Sequence, residues 1–161
     1  MKALMLLMLC LLSSAALALE KGERLESWTL LDQFEQPYTL DNQLQVLLVA
    51  RDMEGAEMLE AALQGQPKGY LQQRNAVFLA DISKMPSLIA KMFAVPAMRD
   101  YNYRVLLDRE SRVVPRYDVA ESTVLWLQLK DGRLEELHHF TDAAALRGAL
   151  EAAPQDSGAG D

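Results

Sequence analysis

Two short apolar runs, Gln45 to Ala50 (QVLLVA) and Ala76 to Ala80 (AVFLA), restrict this 161-residue chain more than any other feature. Neither alternates polar with apolar residues, so each reads as a strand that must be covered on both faces. Each is followed by a stretch with apolar residues at helical spacing. After the first run, Asp52 is placed to cap a helix, Glu54 and Glu57 suit its positive first turn, and Met58, Leu59, Ala62 and Leu63 form the stripe. Gly65 and Pro67 end it. After the second run, Asp81, Ser83 and Pro86 open another helix, whose expected buried face is Leu88, Ile89, Met92 and Phe93. That helix should stop before Pro96, because proline donates no hydrogen bond and pushes its predecessor out of helical geometry. Residues 97–102 have no strong period and are expected as a loop.

The rest of the chain fits around this alternation. Trp28 to Leu40 reads as two extended runs joined by a polar turn at Asp32 to Pro37, a hairpin. Tyr103 to Leu107 is strand-like, and Val113 to Tyr117 is a short helical or extended connector. Thr123 to Leu129 and Leu134 to Phe140 flank Asp131-Gly132, a strong hairpin turn signal. Asp142 caps a closing helix over 143–153, with Leu146 and Leu150 on its apolar side. The expected fold is α/β: a three-layer sandwich with a central mixed sheet and helices on both faces, preceded by an N-terminal β-hairpin.

Lys2, the apolar Ala3 to Leu12 and the small residues Ser13 to Ala18 have the make-up of a cleavable export signal, with cleavage after Ala18. The apolar stretch is shorter than the ~20 residues that cross a bilayer core. Leu9 precedes Cys10 where lipidation calls for a small residue. The expected division is a signal at 1–18, a charged mobile lead-in at 19–26, one domain at 27–153 and a disordered tail at 154–161. The expected location is periplasmic or secreted. Cys10 is the one cysteine in the chain, so the exported form would hold together by packing alone and carry no thiol. Removing residues 1–18 takes away Lys2 and no acid, so 16 basic residues become 15 against 23 acidic, a formal charge of −8. Such a balance disfavours nucleic acid and anionic lipid as partners. No second apolar run follows, so no membrane span is expected in the mature chain.

Three segments carry a family resemblance in the same order along the chain. Trp28 to Leu40 (WTLLDQFEQPYTL) resembles the opening of redoxin and peroxiredoxin-type domains, with Glu35 in place of a usual glycine. Tyr103 to Tyr117 (YRVLLDRESRVVPRY) resembles their "L-L-x-D-x-x-x-x-V-x-x-x-Y" passage, and Asp118 to Leu134 their last strand pair. From Leu25 to Ala152 the chain therefore resembles the thioredoxin-like superfamily. Aligned on Val46 to Ala50, that resemblance puts Glu54, Gly55, Ala56 and Glu57 where the family carries Cys-x-x-Cys. It puts Ser122, before Thr123, where the family has a cis-proline. A cis bond without proline costs ~3 kcal/mol, so Glu121-Ser122 is expected trans. The resemblance implies a relative without thiol-disulfide exchange or cysteine peroxidase activity.

The remaining candidate residues are weighed against plainer roles. Asp52, Glu54 and Glu57 could hold a divalent cation or exchange protons, yet acids at a helix start are accounted for by capping and the dipole. His138 and His139 are neighbours on a strand and point to opposite faces, which leaves a surface histidine beside a partly covered one. Met53, Met58, Met85, Met92 and Met98 could hold copper(I), but Met58 and Met92 fall on expected core faces. Tyr101, Tyr103, Tyr117 and Trp126 could line a groove. Residues 94–103 are the least explained by packing and are the expected binding surface, with Met98, Tyr101 and Tyr103 in it. The function read from all this is an exported, noncatalytic binding or accessory protein of the cell envelope. It would use no cofactor or metal and would meet a protein partner through one region: Arg51 to Glu57, Ala97 to Tyr103 and Glu121-Ser122. The competing reading is a copper- or divalent-cation-handling protein, or a non-thiol enzyme, using Asp52, Glu54, Glu57, His138 and His139.

Overall fold

A computed structural model describes residues 18–156. Seven strands form: β1 Thr29–Leu31, β2 Pro37–Thr39, β3 Val46–Ala50, β4 Ala76–Asp81, β5 Val105–Asp108, β6 Val124–Lys130 and β7 Arg133–Phe140. β1 and β2 pair antiparallel as the N-terminal hairpin. The other five make one mixed sheet in the order β5-β4-β3-β6-β7, parallel across β5, β4 and β3 and antiparallel from β3 through β7. All five residues of β3 are buried, as its unbroken apolar run requires. β6 and β7 join through Asp131 and Gly132, both at positive φ.

The sheet has unlike coats on its two faces. Val46, Leu48, Phe78, Leu107 and Trp126 pack against helix α1 (Met53–Leu63), a helical run over 87–98 and the closing helix Ala143–Ala152. Leu47, Val49, Leu79, Leu106 and Leu127 pack against Leu25, Trp28, Leu30 and Leu40 and against the single-turn helix Val114–Tyr117. The reason lies in connectivity: β3 to β4 and β4 to β5 step in the same direction, and two right-handed crossovers in one direction put both helices on one face. The N-terminal hairpin therefore covers what would be bare sheet. Trp28 Nε1 anchors it by donating to the Tyr117 hydroxyl at 2.6 Å.

Three expectations are corrected here. The lead-in is tied down: Gly22 N donates to Leu134 O, Leu134 N to Glu23 O and Leu25 N to Gly132 O, and Leu25 is buried. At the other end, Asp156 N donates to Gln73 O, which fixes the start of the expected tail. Residues 1–17 and 157–161, with most of the expected export signal and the rest of the expected tail, lie outside the described residues.

The third correction concerns the second helix, which runs through Pro96 to Met98 instead of stopping before it. A regular ladder would aim residue 96 at the Met92 carbonyl, and proline has no N–H to offer and a ring that presses on that oxygen. The chain widens into a π turn over Ala90–Ala94, with Val95 N–H reaching Ala90 O, and the helix continues past the proline. This helix docks through Ala90 and Val95. The expected buried face is outside: Leu88 is 64% exposed, Ile89 45%, Met92 59% and Phe93 64%.

Candidate functional site

The C-terminal end of β3 meets the start of α1 and the loop that leads into β6. Asp52 occupies the cap position with extended backbone, and its Oδ1 accepts from Gly55 N at 2.9 Å. Its Oδ2 accepts from Ser122 N at 2.8 Å. One carboxylate thus ties the helix start to the loop and satisfies two backbone donors that would otherwise be orphaned. Gly55 is buried against the same loop, and a Cβ there would collide with the Thr123 carbonyl oxygen. Glycine is what permits this approach.

Ser122 sits at φ 55°, and no peptide bond among the described residues is cis. Thr123 Oγ1 donates to Ala120 O at 2.8 Å and closes the turn. Arg51 adds a second tie, donating to Val119 O at 3.2 Å and to Glu121 Oε1 at 2.7 Å. The groups facing Ser122 and Thr123 are therefore Asp52 and Gly55. Glu54 and Glu57 are exposed on α1, and Ala56 packs against the core.

Met98, Tyr101 and Tyr103 lie in a different setting. Gln33, fully buried, donates to the carbonyls of Met98 at 3.3 Å and Tyr103 at 2.9 Å, and accepts from Val105 N at 2.9 Å. Tyr101 stacks on Tyr103 with ring centroids 5.0 Å apart. Burial raises the Tyr101 hydroxyl pKa, helped by the charges of Glu60 and Glu57 on α1 and by a hydrogen bond to Glu60. Burial likewise raises that of Tyr103. Both tyrosines, with Arg104, Tyr38 and Asp32, line a groove of about 830 Å³ that reaches Ala76 and Val77 at the start of β4. Asp32 shapes its rim, accepting from Phe34 N at 2.8 Å, Gln36 N at 2.9 Å and Arg104 Nε at 2.7 Å. Tyr38 stands over this pair, its hydroxyl pKa pushed up to about 12 by burial first and the Asp41 charge second.

Arg51, Asp52 and Ser122 thus stand at the C-terminal end of β3 and the groove reaches the start of β4, with Tyr101 in the groove close enough to α1 to feel the Glu57 and Glu60 charges. Asp32, Tyr38 and Arg104 were not among the sequence candidates. Nothing in the sequence pairs Asp32 with Arg104, 72 positions away.

The histidines lie elsewhere again. His138 and His139 are opposite Trp126 and Leu125 in β7, and both are exposed, so the expected partial cover of one is absent. His138 Nε2 lies 3.1 Å from Glu136 Oε2 on the same exposed face. Met92 is exposed as well, and core packing does not account for it. Among the described residues, no three His, Cys, Asp or Glu side chains converge as a metal site would require.

No family model and no curated protein matches the sequence. Solved structures do match the fold. A peroxidoxin, BcpB, from Mycobacterium tuberculosis is 15% identical and overlaps 85% of this chain and 99% of its own, with a TM-score of 0.56. A peroxiredoxin-like protein from Aquifex aeolicus is 12% identical over 85% of this chain and 89% of its own, at 0.54. The thioredoxin domain of a thiol-disulfide oxidoreductase from Bacteroides vulgatus is 13% identical over 83% and 97%, at 0.53. The fold is thioredoxin-like. The chain's one cysteine, Cys10, precedes the described residues, which contain none.

Proposed function

We propose that this chain is an exported thioredoxin-like domain that has given up thiol chemistry and acts by binding, as an accessory protein of the cell envelope. The observation that carries the reading is Asp52. At the end of β3, just before the Glu54 to Glu57 stretch where the family resemblance implies a redox pair, its carboxylate holds Gly55 N and Ser122 N. Each of its oxygens accepts a backbone N–H, which accounts for the carboxylate as a tie between helix and loop. The Gly55–Thr123 contact leaves no room for a side chain between helix and loop. The partner, a protein of the envelope, is assigned to the groove beside Tyr101 and Tyr103, where two stacked aromatic rings meet fixed polar groups.

Activity assays test the first half of this reading. The purified protein should reduce insulin and consume peroxide no faster than buffer, and turnover above that level would overturn it. For the second half, a photo-crosslinking residue replacing Tyr101 should give one discrete adduct in envelope preparations, lost when Tyr103 is changed to Ala. A ladder of adducts insensitive to Tyr103 would contradict an assigned site. Export predicts that mass spectrometry of the recovered protein finds an N-terminus near Leu19, and retention of Met1 would refute cleavage.

A further inference from the structure

The face of the 87–98 helix carries the largest unexplained apolar surface on the described residues. Leu88, Ile89, Met92 and Phe93 lie at i, i+1, i+4 and i+5, one side of a helix, and each is at least 45% exposed. A monomer gains nothing by showing four such side chains together. Their charge setting is equally unusual. Between Asp81 and Asp100 the chain carries Lys84, Lys91 and Arg99 and no acid, in a protein of net charge −7. Lys84 and Lys91 are exposed and make no ion pair or hydrogen bond among the described residues.

We propose that this face is a docking surface for an anionic lipid bilayer, entered by Leu88, Ile89, Met92 and Phe93 and flanked by Lys84 and Lys91. Apolar side chains projecting from a convex helix, with cations beside them, match a headgroup layer that is anionic outside and apolar just beneath. A second copy of this chain fits less well, because a symmetric contact would set two like-charged patches, each carrying Lys84 and Lys91 and no acid from residues 82–99, face to face. The acidic balance of the whole chain argues against anionic lipid, but at the ~8 Å screening length of physiological salt the local charge governs the contact. The π turn contributes directly: it lets the helix dock through Ala90 and Val95 and leaves the large residues turned out. This inference does not rest on the groove or on Asp52, which lie on other parts of the surface.

The form tested is the exported one expected from the sequence, Leu19 onward, which contains every residue of the two cores found among the described residues. It should float with vesicles of equal phosphatidylglycerol and phosphatidylcholine at least ten-fold more than with phosphatidylcholine alone. Leu88→Ser with Phe93→Ser should lower that binding about ten-fold. Lys84→Glu with Lys91→Glu should remove the preference for the anionic lipid, each variant keeping the wild-type circular dichroism spectrum. Hydrogen exchange should slow on vesicles chiefly over residues 84–95. Binding to neither vesicle, or binding that both variants retain, would overturn the proposal. So would a dimer in solution that Leu88→Ser with Phe93→Ser makes monomeric, since the occupant would then be a second copy. Exchange protection by an acidic protein partner, without any by vesicles, would overturn it as well.

Discussion

Helix α1 and the 87–98 helix start from the same situation and end differently. Each follows a buried parallel strand, each crosses over the same face of the sheet, and each carries an apolar stripe at helical spacing. α1 turns its stripe inward, with Leu59, Ala62 and Leu63 buried and a side-chain cap at Asp52. The later helix has no side-chain cap, widens at Ala90–Ala94, and turns its large residues out. A periodic pattern thus tells that a helix is amphipathic without telling which side the sheet takes. In α1 large residues fill the space over the sheet. In the 87–98 helix small Ala90 and the branched Val95 fill it.

The sharpest way to break this contrast is to truncate a leucine on each helix. Leu59→Ala should cost about 3 kcal/mol, because its side chain is fully enclosed and leaves a cavity. Leu88→Ala should change stability by less than about 0.5 kcal/mol. Urea denaturation of the two variants checks both, and equal losses would mean that the 87–98 helix packs as α1 does.

Capping comes next. Asp52→Ala should cost about 2 kcal/mol, more than an ordinary cap, since Gly55 N and Ser122 N both lose their acceptor. Asn at this position keeps one acceptor and should recover about half. A loss no larger than that of Asp142→Ala, whose carboxylate holds only Ala144 N, would show that the tie to the β6 loop adds nothing.

Alkali should give the smallest effect. Tyr101 and Tyr103 link the segment after the second helix to α1, and both hydroxyls have raised pKa values in the fold, chiefly by burial. Above their ordinary value of 10.0 the unfolded chain loses these protons while the folded chain keeps them. Their contribution to stability is therefore complete below about pH 10 and declines as pH rises through the folded values. The urea midpoint should fall between pH 9 and pH 11, and Tyr103→Phe should fall less steeply than wild type. Parallel declines would assign the loss to other groups, with Tyr38 and Tyr117 the next tyrosines to change.

Where the sequence was legible, one local cause sufficed. Continuous apolar runs mark β3 and β4, Asp131-Gly132 marks the last hairpin, and Asp52 and Asp142 mark two helix starts, because short-range backbone chemistry settles each. The second helix was legible as a helix but not in its phase. Pro96 was the visible signal, and whether proline ends a helix or is absorbed by a π turn depends on what the following residues pack against. Asp52 as a cap could be read from its neighbours. Its hold on Ser122, 70 positions away, could not.

What the order of residues determined by itself was the set of elements, their right-handed connection into a mixed sheet, and the lack of any cysteine beyond Cys10, all of which follow from local pattern and composition. Only the tertiary structure decided which faces meet. It closed the end of β3 with a carboxylate bridge, built a groove from Asp32, Tyr38 and Arg104, and left Leu88, Ile89, Met92 and Phe93 uncovered. The physical reason is that burial is a property of pairs of surfaces, and a sequence states one member of each pair at a time.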